Sequence, residues 1–191
     1  MPEYDTHSLG LIDELFAKRI ILLDKEITES NCGELVGRLV LLDLRGKTSK
    51  KPIVMLINSF GGFTSGALGV TDVIENCVCP VYTVCIGIAQ SAASIILAAG
   101  SKRFALKNAD IMVHQHWQEF PETLTHKELM HEAKMSKKSH DNLVDFYVNH
   151  TSVNRKKIEE MLAKDTYLTA EESLKCGLID EIGWNIHDWI K

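Results

Sequence analysis

A chain of 191 residues and 21.4 kDa, 45% hydrophobic and 25% charged, has enough apolar material for one domain-sized core without metal or disulfide staples. Its 21 basic against 26 acidic residues give a formal net charge of −5, which argues against a general nucleic-acid binder. No apolar run approaches the roughly 18 residues of a membrane span, and Met1-Pro2-Glu3-Tyr4-Asp5 lacks the basic end and apolar stretch of a secretory signal, so a soluble, cytoplasmic protein is expected.

Residues 18–23 read as a strand, after which Leu35, Leu39 and Leu42 recur at helical spacing. Residues 45–51 read as a polar, basic connection. The continuous apolar run at 53–57 predicts a strand buried on both faces, broken by Asn58-Ser59-Phe60-Gly61-Gly62. A helix through Val70, Val73 and Ile74 follows, and Pro80 opens a second buried strand over 81–86 that Gly87 is expected to end. Residues 91–99 read as a small-residue helix stopped by Gly100, and short strands are expected at 103–106 and 111–113.

Thr125-His126-Lys127-Glu128 is a capping box, from which a long helix runs to about Asn149. Lys134, Lys137, Lys138 and His140 make its first half polar nearly all round, so it is expected to project or to meet a partner subunit. Ile158, Met161 and Leu162 mark a shorter helix. A second capping box, Thr169-Ala170-Glu171-Glu172, opens a segment ended by Gly177, and a final strand is expected at 178–182. Strands alternating with helices make the class α/β, in one domain spanning 1–191.

Cys32, Cys77, Cys79, Cys85 and Cys176 form no Cys-x-x-Cys pair, and the eight histidines show no ligand spacing. The cysteines read as small core residues, and no metal site is expected.

Chemistry has two places to sit, where a buried strand passes through glycine into a helix: 57–62 and 86–91. Free backbone N–H groups at such a junction suit a developing oxyanion. Ser91 lies at the second junction, within Gly87-Ile88-Ala89-Gln90-Ser91-Ala92-Ala93, where small neighbours leave room for a carbonyl to approach. Taken alone, a serine at this place is more often a plain N-cap than a nucleophile, and Ser94 reads as helix packing. A serine nucleophile needs a base. His114 follows the apolar strand Ile111-Met112-Val113, with His116 as its competitor on the loop side. For the carboxylate that orients the base, Asp165 competes with Asp110, Asp141, Asp145 and Asp180, and spacing does not rank them.

Ile57-Asn58-Ser59-Phe60-Gly61-Gly62, Gly87-Ile88-Ala89-Gln90-Ser91, Arg103-Phe104-Ala105-Leu106, Met112-Val113-His114-Gln115 and Asp165-Thr166-Tyr167-Leu168-Thr169-Ala170 stand in an order that resembles the Clp protease proteolytic subunit family, ClpP, over residues 12–183. Gly177-Leu178-Ile179-Asp180 adds to the resemblance. It implies a crotonase-like ββα-spiral fold with a short axial segment at about 1–12 and a projecting handle region at about 115–150. It implies a serine endopeptidase core cutting unfolded polypeptides inside heptameric rings stacked as a tetradecamer, of one subunit type or mixed with a paralogue. By motif match, Ser91 is the nucleophile, His114 the base and Asp165 its orienting carboxylate, with the N–H groups of Gly62 and Ala92 as the oxyanion hole. The chemistry needs no cofactor in this chain. ATP is expected to be consumed by a partner AAA+ Clp unfoldase, since the sequence has no Gly-x-x-x-x-Gly-Lys-Ser/Thr loop.

The chain departs from the family pattern at Phe60 (usually proline), Ala92 (usually bulkier) and Ala163-Lys164 (an Asp-Arg pair). Val54 and Leu56 stand where aromatics are common, and residues 115–125 replace a glycine-rich strand. Two other readings are a catalytically idle subunit of a mixed barrel and an acyl-CoA hydratase or isomerase of the same fold.

Overall fold

The computed structural model describes residues 6–48, 50–116 and 123–185. In chain order the elements are α1 (Thr6–Ala17), β1 (Ile20–Leu23), α2 (Glu29–Gly46), β2 (Ile53–Ser59), α3 (Thr64–Asn76), β3 (Val81–Gln90) and α4 (Ala92–Ala98). They continue with β4 (Lys102–Ala105), β5 (Asp110–Val113), α5 (His126–His150), α6 (Arg155–Leu162), β6 (Thr166–Thr169), α7 (Ala170–Lys175) and β7 (Glu181–Ile182). The strands run β1-β2-β3-β4-β7, with β5 on the far half of β3 and β6 on β5. Every pairing is parallel except β5 with β6. This is a mixed α/β architecture, as expected, with α5 as its projecting helix.

The apolar runs fold as their patterns dictate. Ile53, Met55 and Ile57 of β2 join Leu35, Leu39 and Leu42 of α2 and Val70 and Ile74 of α3 in the main core. The other face of the sheet buries a smaller cluster of Ile20, Val54, Val84 and Phe104, against which Leu56 and Tyr82 pack. Val54 and Leu56 therefore belong to this second layer.

Several expected boundaries move, each for a visible reason. A helix, α1, occupies most of the stretch expected as a short axial segment, because Leu15 and Phe16 pack on the two core clusters. The strand expected from residue 18 starts at Ile20, since Lys18 and Arg19 still bond back to the last turn of α1. Arg19 turns the chain at φ 64° and donates to the carbonyls of Leu42, Lys51 and Pro52, fastening the connection after α2. That connection is shorter than expected, because α2 continues through Arg45 to Gly46.

Gly87 does not end β3. The strand exchanges its β4 partners, Tyr82 to Cys85, for β5 partners at Ile88, Ala89 and Gln90. Across this change Asn58 Oδ1 accepts from Ile88 N–H at 3.1 Å and fills the space that a Cβ on Gly87 would need. The final strand shrinks to Glu181–Ile182, while Leu178 and Ile179 turn inward and bond to the Ser173 carbonyl.

Helix α5 carries its capping box at Thr125 and Glu128 and buries only Leu143, Val144 and Tyr147, all in its second half. Leu129, Met130 and Met135 in the first half are exposed. Among the described residues, no helix is long and apolar enough to cross a membrane. The segment at 115–125 that departs from the family pattern falls largely on 117–122, outside the described residues.

Candidate active site

Strand register assembles the site. β3 and β5 run parallel with Gln90 beside Met112, and the Ser91 N–H donates to the Met112 carbonyl at 2.8 Å. Ser91 therefore leaves β3 next to the end of β5, one residue before His114. β5 and β6 run antiparallel, with Val113 opposite Thr166. One step further along that register sets His114 opposite Asp165. The Gln115 N–H donates to the Leu162 carbonyl at 2.7 Å, and Thr166 Oγ1 to the Met161 carbonyl at 2.7 Å, so both flanks of the His114–Asp165 pair are tied to the end of α6.

The side chains meet accordingly. His114 Nε2 lies 2.7 Å from Ser91 Oγ, and His114 Nδ1 lies 3.2 Å from Asp165 Oδ1. With the ring proton on Nδ1, His114 donates to the carboxylate and its Nε2 accepts from the serine hydroxyl. The His114 side chain is 17% exposed and that of Asp165 is 61% exposed, so the carboxylate acts from the wet rim of the site.

The competing aspartates all have other partners. Gln90 donates to Asp110, Lys137 to Asp141, Arg155 to Asp145 and Arg103 to Asp180. Among the described residues, His116 has its Nδ1 buried without a hydrogen-bond partner. It lines a groove with Leu129, Lys137 and His140, and burial together with nearby His140 lowers its pKa.

Ser91 precedes α4 at φ 53° and ψ −125°, and its side chain makes no capping bond. The N-cap reading of this serine therefore fails: its hydroxyl is turned toward His114 instead of the helix. A non-glycine residue in such a region stores strain on the order of 1–3 kcal/mol. Strain of this kind at a strand-to-helix turn lifts a serine hydroxyl clear of the sheet.

The strand β2 ends in a second turn stacked on this one. Gly61 has φ 96°, and a Cβ there would meet the Gln90 carbonyl at 2.5 Å and both Ala92 N and Ser91 Cβ at 2.8 Å. Ser59, 2% exposed, holds this turn by donating to the Lys25 carbonyl and accepting from the Gly61 N–H. Gly62 bridges to Ile27 through the Gly61 carbonyl and the Phe63 N–H, which directs its own N–H to the opposite side. Ala92 opens α4, so its N–H has no intrahelical acceptor. Neither N–H makes a hydrogen bond among the described residues. Asn58 and Ser59 escaped the sequence reading as contributors, although two polar residues between an apolar strand and a Gly-Gly pair were the available signal.

The five cysteines are free, and burial raises each thiol, Cys77 to about 11 and Cys85 to about 12. Among the described residues, no group of three His, Cys, Asp or Glu side chains is arranged to hold a metal.

Comparison with known proteins agrees with this architecture. The family model for Clp protease matches residues 3–185. An ATP-dependent Clp protease proteolytic subunit from Deinococcus radiodurans is 34% identical over 177 residues, covering 92% of this chain and 85% of that protein. One from Cyanophora paradoxa is also 34% identical over 177 residues, covering 91% of this chain and 89% of its own length. By this match over nearly its whole length, with the sheet, projecting helix and stacked glycine and serine turns described above, the chain belongs to the Clp protease family.

Proposed function

We propose that this chain is the serine endopeptidase subunit of an ATP-dependent Clp protease, with Ser91 as nucleophile, His114 as general base and Asp165 as the carboxylate that orients it. The observation carrying this reading is the unbroken contact from Asp165 through the His114 ring to the Ser91 hydroxyl. Ser91 Oγ attacks the peptide carbonyl as its proton passes to His114 Nε2, and Asp165 stabilises the imidazolium formed. The carbonyl oxygen becomes an oxyanion held by the N–H groups of Gly62 and Ala92. The C–N bond then breaks, the amine leaves with the proton from His114, and a water deprotonated by His114 hydrolyses the ester.

The relatives' description as ATP-dependent supports an ATP-consuming partner, and the family resemblance supports the ring assembly. Subunits assemble into heptameric rings stacked as a tetradecamer, and an AAA+ unfoldase that consumes ATP feeds polypeptide to the enclosed sites. The proteolytic chemistry itself takes no cofactor from this chain.

Intact mass after treatment with a serine-reactive fluorophosphonate tests the assignment. One adduct per subunit is expected, absent in Ser91→Ala and strongly slowed in His114→Ala. An adduct that persists in Ser91→Ala would place the reactive group elsewhere.

A further inference from the structure

Behind the proposed nucleophile lies a buried chain of hydroxyls that the triad does not include. The Ser91 carbonyl accepts from the Ser94 N–H at 3.0 Å and from Ser94 Oγ at 2.6 Å. Ser94 Oγ in turn lies 2.7 Å from the Tyr147 hydroxyl. Ser94 has a single hydroxyl proton and directs it to the Ser91 carbonyl, so Tyr147 is the donor in the second bond. Ser94 is fully buried and Tyr147 is 3% exposed, so water does not replace either bond. Burial also raises the Tyr147 pKa, which keeps the phenol a donor across the working pH range.

The consequence lies in the peptide that joins Ser91 to Ala92. A trans peptide is planar, with its C=O and N–H pointing in opposite directions. Fixing the Ser91 carbonyl on one side therefore fixes the Ala92 N–H on the other, where the oxyanion forms. Ser91 sits at φ 53° and ψ −125°, a conformation that persists only where neighbours hold it.

Resting on the reading of Ser91 as nucleophile, we propose that Tyr147 and Ser94 are positioning residues that aim the Ala92 N–H at the oxyanion through the Ser91 carbonyl. Tyr147 belongs to the buried half of α5, so the relay also joins the base of the projecting helix to the catalytic turn.

The test compares wild type with Tyr147→Phe, Ser94→Ala, the double variant and Ser91→Ala. Fluorophosphonate labelling rates and kcat and KM on a short fluorogenic peptide are the readouts, with thermal midpoint recorded for each protein. A misaimed oxyanion donor acts in the transition state, so kcat and labelling should fall about tenfold while KM stays within about twofold. Because both residues act through one carbonyl, the double variant should be no slower than Ser94→Ala alone. Tyr147→Phe keeps the ring and its packing, and Ser94→Ala interrupts the same relay from its other end should the first variant lose stability.

Labelling at the wild-type rate in Ser94→Ala, or losses that multiply in the double variant, would overturn the relay while leaving the triad standing. Labelling retained by Ser91→Ala would overturn the triad reading, and the relay with it.

Discussion

At the scale of single residues, the site depends on two backbone turns pressed together. Gly61 is there because no side chain fits: its φ of 96° is unfavourable to an L-residue, and its Cβ position is already taken by the Gln90 carbonyl, Ala92 N and Ser91 Cβ. An alanine at this position faces on the order of 1–2 kcal/mol from the left-handed conformation alone. Relief of the clash requires the turns to part, and parting moves Ser91 away from His114. Displacement of about 1 Å can cost on the order of a hundredfold in rate. Gly61→Ala should therefore remain folded, with a lower urea midpoint, and lose fluorophosphonate labelling by about that factor. Retained labelling together with a lowered midpoint would show that the two turns are not mechanically joined.

At the scale of elements, the sequence made legible whatever is encoded locally. The apolar run of β2, the capping boxes at Thr125 and Thr169, and the helical spacing of Leu35, Leu39 and Leu42 all signal through near neighbours. Pairing between distant strands was out of reach. Nothing near Gly87 says that β3 exchanges β4 for β5, and nothing near Asp165 says that residues 166–169 pair antiparallel with β5. That missing register is why five aspartates stayed unranked until family resemblance separated Asp165, and why Ser94 read as helix packing alone. One of the four rejected aspartates, Asp180, acts at element scale by fastening the turn before β7 to β4. Arg103 donates to it through its backbone N–H at 2.8 Å, Nε at 3.0 Å and Nη2 at 2.6 Å. Burial works against ionisation of Asp180, but these bonds outweigh it and hold the pKa below the ordinary aspartate value. A carboxylate lowered in the folded state stabilises above its unfolded pKa of about 4, and that contribution disappears as pH falls through the native value. Asp180→Asn should therefore melt below wild type at pH 7, and the gap should narrow in acid beneath about pH 4. A gap of constant size across that range would assign the loss to packing.

At the scale of the molecule, the site opens to solvent at its carboxylate. Asp165 is 61% exposed at the side chain, so water screens its interaction with the His114 ring. Around the chain, Phe60 is 73% exposed and Tyr167 56%, while Leu129 and Met130 present apolar groups on the outer half of α5. Apolar side chains of this size at the end of a projecting helix suit a surface that another subunit covers. The base of the same helix carries Tyr147, which bonds to the turn behind Ser91 through Ser94. In the proposed assembly, contact on α5 and alignment of the site would thus be joined through one helix. Light scattering behind gel filtration should give a mass of seven or fourteen times the 21.4 kDa chain. Leu129→Lys combined with Met130→Lys places two charges where an apolar contact is expected, so the mass should drop. Fluorophosphonate labelling should slow in the same protein by about tenfold, because the reacting groups would no longer be held in register. Smaller particles that label at the wild-type rate would mean that each subunit aligns its own triad, and that the assembly serves only to enclose the substrate.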